Sequence, residues 1–434
     1  MATRSPSRSR RASAGCASRW SPLGINSDPR SAIEAIWRIE SPRLIAGLAH
    51  IVRDVGLAEE LAQDAFVAAL QQWPESGVPE RPGAWLMGTA KHRAIDLVRR
   101  MQRLDRKYQE LGRELEDAVE PSEPEIRDDL LRLIFTACHP VLPKEARLAL
   151  TLRLLGGLTT DEIARAFLVP VPTMAQRIVR AKRTLAEARV PFEVPTGSEL
   201  RERLASVLEV VYLIFNEGYA ATAGEDWVRP ALCDDALRLG RVLAELMPGE
   251  AEVHGLVALM EIQASRLRAR VGPDGQPVLL LDQDRGRWDR LLIRRGLAAL
   301  DRTEHLGGVL GPYGLQAAIA ACHARARTAE DTDWQRIAAL YDALAEVAPS
   351  PVVELNRAVA VAMAFGPAAG LRLVDELLEE PSLREYHLLP SVRGDFLVKL
   401  GRAEEARREF ERAASLTRNE SERRMLLERA AKVS

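Results

Sequence analysis

Thr173, Gln176, Arg177, Arg180 and Arg183 are the side chains of this sequence best suited to gripping phosphates and reading base edges. Their spacing sets them apart from Met174, Ile178, Ala181 and Leu185, which form one apolar helical stripe. A helix lying in the DNA major groove needs both faces. The buried stripe fixes its angle, and long donors reach phosphates and base edges. From Thr173 to Arg189 there are five Lys/Arg against one acid, Glu187. Two core helices with solvated arginines would show a similar pattern, so the charge does not decide the matter alone.

The preceding residues supply the element that would position this helix. Thr159 or Thr160 can cap a short helix with Ile163, Ala164 and Phe167 on its apolar side. Leu168-Val169-Pro170 interrupts the pattern, and Pro172 suits the first turn of the next helix. The result reads as a helix-turn-helix.

A second basic helical block lies upstream, Pro82 to Arg100. Trp85, Leu86, Ala90, Ala94, Ile95 and Val98 give it helical spacing, and Lys91, His92, Arg93, Arg99 and Arg100 are its polar complement. Residues 85–107 hold seven Lys/Arg against two Asp, a patch that would release counterions from a phosphate backbone. Between the blocks, residues 110–129 carry nine acids and two Arg, with Pro121 and Pro124 expected to break helix. That stretch reads as a flexible acidic linker.

Three segments, in type, order and spacing, resemble sigma factors of the extracytoplasmic-function group of the sigma-70 family. Leu57 to Leu70 is similar to the core-polymerase-binding segment of region 2. Pro82 to Arg100 is similar to the promoter-melting and minus-10-reading segment, and Leu142 to Glu187 to region 4, which reads the minus-35 element. The resemblance covers the chain from about Ala32 to Glu187. It implies two partners, core RNA polymerase and promoter DNA. Glu60, Gln63 and Asp64 would face the polymerase; Trp85, Lys91, His92, Arg93, Arg99 and Arg100 would serve the minus-10 element, with Asp96 matching the same segment. Thr173, Gln176, Arg177, Arg180 and Arg183 would serve minus-35. The segment Gln71 to Pro82 sits where the family holds a flipped-out base, which needs a shaped pocket. One departure is Leu168, which stands in the helix-turn-helix turn where family members often have Gly. If its backbone is left-handed there, a non-Gly residue costs about 1 kcal/mol. Pro170 and Pro172 also replace the small residues usual before the reading helix.

From Pro191 onward the sequence is helix after helix, rich in Ala and Leu. Gly394, Leu397, Ala406, Phe410 and Ala413 fall at positions of a tetratricopeptide repeat, and Ala358, Val361, Gly370, Val374 and Leu377 form a degenerate copy. Ala236, Gly240, Leu243 and Pro248 suggest another, with Ala258 opening the next. Stacked pairs would make a curved solenoid whose concave face suits a protein or peptide partner. A subgroup of the resembled family carries such an extension, which implies a regulatory role. Two segments stand out from the repeat pattern. Phe215 to Trp227 is rich in Gly and aromatics. Leu279 to Arg290 holds Asp282, Asp284 and Asp289 with Arg285, Arg287 and Trp288, and is expected to tie helices by Arg–Asp pairs or to face a partner. A calcium loop is excluded there, since Ile293 stands where the twelfth-position Glu belongs.

The expected fold is all-α: an Arg/Ser-rich disordered tail over 1–30, region 2 over 31–106, the acidic linker over 107–128, region 4 over 129–192 and a tetratricopeptide-like domain over 193–434. With 434 residues and 47% hydrophobic content the chain can build such cores, while a net charge of −2 confines its basic character to patches. Cys16, Cys138, Cys233 and Cys322 are too scattered for a zinc site and read as free thiols in a reducing cytosol. No apolar run reaches the ~18 residues of a membrane helix, so no membrane association is expected. No catalytic triad, phosphate-cradling Gly-rich loop or metal cluster points to an enzyme or a cofactor. The alternative reading is a helix-turn-helix regulator with a sensing repeat domain that binds operators without polymerase. It would leave the block from Trp85 to Arg100 without a task.

Overall fold

The computed structural model describes residues 29–102 and 123–433, apart from 222, 225, 274, 308 and 309. The tail over 1–30, bar its last two residues, and Cys16 therefore lie outside the described residues, as do linker residues 107–122. The protein is all-α. The segment expected as region 2, called so below, forms α1 (Pro29–Val52), α2 (Val55–Ser76) and α3 (Pro82–Gln102). The segment expected as region 4 forms α4 (Glu123–Ala137), α5 (Lys144–Leu154), α6 (Thr160–Ala166) and α7 (Val171–Glu187). The remaining helices are α8 (Gly197–Tyr219), α9 (Pro230–Leu246), α10 (Ala251–Ala264), α11 (Arg290–Gly307), α12 (Pro312–Arg325), α13 (Trp334–Val347), α14 (Pro351–Phe365), α15 (Pro367–Glu376), α16 (Leu388–Lys399), α17 (Ala403–Leu416) and α18 (Glu420–Lys432).

Two sequence expectations shift. The linker expected to reach residue 128 gives way to α4 at Glu123, because Pro124 sits in the first turn, where a missing N–H costs no hydrogen bond. The segment from Gln71 to Pro82, expected to hold a flipped-out base, is helical as far as Ser76. Pro74 falls near the end of α2, Trp73 is buried, and Gly77 at φ +85° ends the helix.

The core passes from element to element. One continuous apolar cluster runs from Ile33 in α1 to Ala264 at the end of α10, so region 2, region 4 and the start of the C-terminal array share it. Further clusters join α10, α11 and α12, then α12, α13 and α14, then α14 to α18. Consecutive helices of this second half pack on one another. Small residues allow the close crossings, as at Gly394, where an added Cβ would stand 2.7 Å from the Phe410 ring. The array also meets its own start. β1 (Ala223–Gly224) pairs in parallel with β2 (Arg418–Asn419), and the Asn419 amide donates to Ala221 O at 3.1 Å and Asp226 O at 2.9 Å.

Cys138, Cys233 and Cys322 are buried and free. Burial pushes the Cys138 and Cys233 thiols up to about 11 and about 12, so both stay protonated at neutral pH. Among the described residues no helix is long and apolar enough to cross a membrane, and no three ligand side chains gather as a metal site.

Candidate nucleic-acid interface

Thr159 caps α6 by accepting from Glu162 N, and the Glu162 carboxylate accepts from Thr159 N in return. Two bonds then close the helix: Leu168 N donates to Arg165 O at 3.3 Å and Val169 N to Ala164 O at 2.9 Å. This is the Schellman pattern, with Leu168 at the position that favours glycine. Its φ is +51°, so the departure seen in the sequence is a real left-handed leucine. Leu168 is 54% exposed, and one of its contacts lies 56 residues away. Leu168 Cδ1 packs against Gly224, itself at φ +95°, where an added Cβ would stand 3.0 Å from that methyl. Thus the left-handed residue of the turn is seated on the segment Phe215 to Trp227.

On α7, Met174, Ile178, Ala181 and Leu185 are buried. Thr173, Gln176, Arg180 and Arg183 are exposed and Arg177 is half-buried. Arg183 Nε donates to Glu187 at 2.6 Å, so it is the one of the five held by a same-helix acid. Pro170 gives α7 no side-chain cap and its first turn has no acid. Its N-terminus therefore offers unsatisfied N–H groups and the positive end of the dipole to a phosphate.

On α3, His92 and Arg93 are exposed, while Trp85 and Lys91 are half-buried. Trp85 packs edge-on against the buried Trp73 at 5.2 Å between centroids, and His92 Nδ1 lies 2.6 Å from Gly88 O. Asp96 is exposed. Arg99 and Arg100 belong to α3, but their side chains lie outside the described residues. On α2, Glu60 and Asp64 are exposed. Asp64 pairs with Arg93 at 3.0 Å, joining an expected polymerase-facing residue to an expected minus-10 residue.

Sequence reasoning missed Glu59. Its side chain is only 3% exposed and accepts from Arg153 Nε at 2.6 Å and from Gln63 Nε2 at 2.5 Å. It is also ion-paired with Lys182 of α7. Gln63 is thereby engaged within its own helix. Around this hub, Arg38 pairs with Glu162, and His50 Nδ1 lies 2.9 Å from Asp129. Burial raises the Asp129 carboxyl, opposed by His50 and Arg132. Regions 2 and 4 are thus clamped together by charge. No local pattern marks Glu59, since its partners lie 94 and 123 residues away.

The C-terminal array clasps region 4 differently. Arg203 donates to Phe135 O at 2.9 Å, and Arg238 to Leu155 O at 3.2 Å and Gly156 O at 2.9 Å. Arg229 donates to Ala166 O. Each satisfies a carbonyl at the end of a region 4 helix. The Asp-rich segment is a correction. Arg285 makes no Arg–Asp pair; its guanidinium donates to His323 O, to Ala326 O at 3.0 Å and to Thr332 Oγ1 at 3.2 Å. Asp284 accepts from Gly286 N at 2.8 Å, and Asp289 accepts from Leu291 N at 2.8 Å. The carboxylates bond local backbone because those N–H groups have no other partner at the turn and helix start.

Two helical segments in contact, one of them a helix-turn-helix whose α7 exposes Gln176, Arg180 and Arg183, define a class of DNA-binding protein. Sigma-70 region 2 matches residues 37–104 and sigma-70 region 4 matches residues 132–185. The chain thus carries regions 2 and 4 of the sigma-70 type, and its first half is similar to sigma factors of the extracytoplasmic-function group. Residues 203–304 match a family of unknown function, DUF6596. An uncharacterized protein of Rhizobium meliloti is 45% identical, over 88% of this chain and 91% of its own length. The RNA polymerase sigma-H factor of Pseudomonas aeruginosa is 27% identical over 35% of this chain and 82% of its own. The ECF RNA polymerase sigma-E factor of Escherichia coli K12 is 27% identical over 30% of this chain and 72% of its own.

Proposed function

We propose that this chain is a sigma factor that docks on core RNA polymerase through α2, with Glu60, Gln63 and Asp64 at the contact. In this reading α3 serves the minus-10 element through Trp85, Lys91, His92, Arg93, Arg99 and Arg100. Thr173, Gln176, Arg177, Arg180 and Arg183 on α7 serve the minus-35 element and so direct transcription of a specific regulon. The C-terminal array acts as a tetratricopeptide-like regulatory domain: it grips region 4 and thereby sets how region 4 meets region 2.

The Glu59–Lys182 pair carries the regulatory part of this reading, because it ties the polymerase-docking helix to the base-reading helix. Promoter elements ~25 base pairs apart are about 85 Å apart along B-DNA at ~3.4 Å per pair. Two compact bodies of roughly 70 residues each have radii of gyration near 11 Å, so in contact they reach about 60 Å end to end. The clamped arrangement falls short and must open for both elements to be read at once.

The test is run-off transcription with the full-length chain, core polymerase and a candidate promoter. A transcript that depends on the added chain is expected. Tight binding to duplex DNA, with no association with core polymerase and no transcript, would replace this reading with an operator-binding regulator.

A further inference from the structure

Arg266, just beyond α10, is 6% exposed, and no ion pair or side-chain hydrogen bond satisfies it among the described residues; its Nε is buried and unpartnered. Arg285 shows what a structural arginine looks like in the same neighbourhood: it is equally buried, and its guanidinium meets three acceptors. The charged neighbours that act on Arg266 are of its own sign, Arg270 and Arg285. Gln263, one turn earlier, keeps a buried unpartnered oxygen, but it is neutral.

What Arg266 does have is aromatic faces. Its guanidinium lies 5.9 Å from the Tyr219 ring and 5.8 Å from the Trp288 ring. Arg270 lies 3.8 Å over Tyr219 and 5.3 Å from Trp227, and its Nε is also buried without a partner. The indole N–H groups of Trp227 and Trp288 are orphaned as well. Such faces meet the plane of a guanidinium and leave its N–H edge free. An unpaired buried charge is costly. A guanidinium with a free edge is also the geometry that grips two oxygens of one anion. Arg266 is buried, while Arg270, Tyr219 and Trp227 beside it are partly exposed.

We propose that the centre of the C-terminal array is a binding site for a small oxyanion-bearing ligand, a phosphate or a carboxylate, held by Arg266 and Arg270. Burial, then Arg266 and Arg285, also push the His323 imidazole down to about 3, while Glu330 and Asp331 act on Arg285. The site also adjoins the segment whose Gly224 seats Leu168 of the helix-turn-helix, so an occupant would sit close to the DNA-reading region.

The experiment uses the full-length chain and reads thermal unfolding and tryptophan fluorescence. Inorganic phosphate and succinate are titrated separately, with potassium chloride holding ionic strength constant. A saturable response to phosphate identifies a phosphate-type ligand, and a response to succinate a carboxylate. Either response should weaken by about tenfold or more in Arg270→Gln and in Arg266→Met. Arg266→Met should also leave the unfolding temperature in anion-free buffer unchanged or higher, since it removes an unpaired buried charge. Should Arg266→Met fail to fold, the partly exposed Arg270→Gln decides alone. The proposal is overturned if neither probe gives a saturable response up to tens of millimolar, or if folded Arg270→Gln responds like the parent.

Discussion

Glu59→Gln should loosen the clamp between regions 2 and 4 without disturbing either. The glutamine fills the same space and can still meet Gln63, but it leaves Arg153 and Lys182 facing a neutral amide. A hydrogen bond to a charged group contributes about 1.5–3 kcal/mol. Arg153 and Lys182 keep 21% and 20% exposure, so water recovers part of each. A net loss of about 2 kcal/mol follows, or roughly 30-fold in the ratio of closed to open forms. Spin labels at Val67→Cys on α2 and Val179→Cys on α7, both exposed, would report the separation, in a Cys16→Ser background. The three buried cysteines should resist labelling. The parent should give a short distance, and Glu59→Gln a second, longer population. Glu60→Gln, at the neighbouring exposed position, should match the parent. Identical distance distributions for Glu59→Gln and Glu60→Gln, with both chains folded, would refute the reasoning.

Arg177→Ala and Arg180→Ala should each weaken minus-35 duplex binding. Removing an arginine that grips a phosphate lowers the salt slope by about 0.9, whereas removing one that reads a base relaxes sequence preference by about 1–3 kcal/mol. Unchanged promoter selectivity in both variants would remove the assignment. Gly224→Ala should destabilise the protein by about 1–2 kcal/mol in denaturant unfolding, because it places a Cβ at a positive φ and against Leu168. An unshifted midpoint would show that Leu168 is not seated there. Because His323 is neutral when folded and titrates near 6.5 when unfolded, stability is complete above pH 6.5 and falls as pH drops toward 3. The slope is at most about 1.4 kcal/mol per pH unit, and His323→Gln should flatten it in pH-dependent unfolding curves.

Local chemistry was legible in the sequence, and long-range partners were not. A cap at Thr159 or Thr160, the first-turn Pro172 and the stripe Met174, Ile178, Ala181 and Leu185 follow from spacing, because helix geometry acts over three or four residues; the structure puts the cap at Thr159. Leu168 was legible as an anomaly, yet its explanation sits at Gly224. Asp282, Asp284 and Asp289 suggested ion pairs with nearby arginines, but backbone donors lay closer to Asp284 and Asp289, Arg285 found carbonyls at the end of α12, and Asp282 acts on the distant Arg429 of α18. Glu59 looked like one acid of a solvated face. Only the tertiary arrangement shows that it faces inward while Glu60 faces out.

The two seams of region 4 differ in a way that assigns them different behaviour. Against the C-terminal array, Lys144 and Arg147 of α5 add ion pairs to Glu209 of α8, and arginines satisfy carbonyls at the ends of α4, α5 and α6. Those oxygens have few other protein partners, so breaking the seam strands them or requires water to enter the shared core. Against region 2, the polar contacts are ion pairs between side chains: Arg38 with Glu162, and Arg153 and Lys182 with Glu59. Ion pairs can change partners, and salt weakens them. A DNA phosphate offers Lys182 what Glu59 offers it, and the acid so released regains water. Opening at the region 2 seam also parts the apolar cluster that α1 shares with α4, so the promoter can assist it through these ion pairs, while region 4 stays bound to the array. On this argument the C-terminal half travels with the minus-35-reading helix, and raised ionic strength should favour the open form even without DNA.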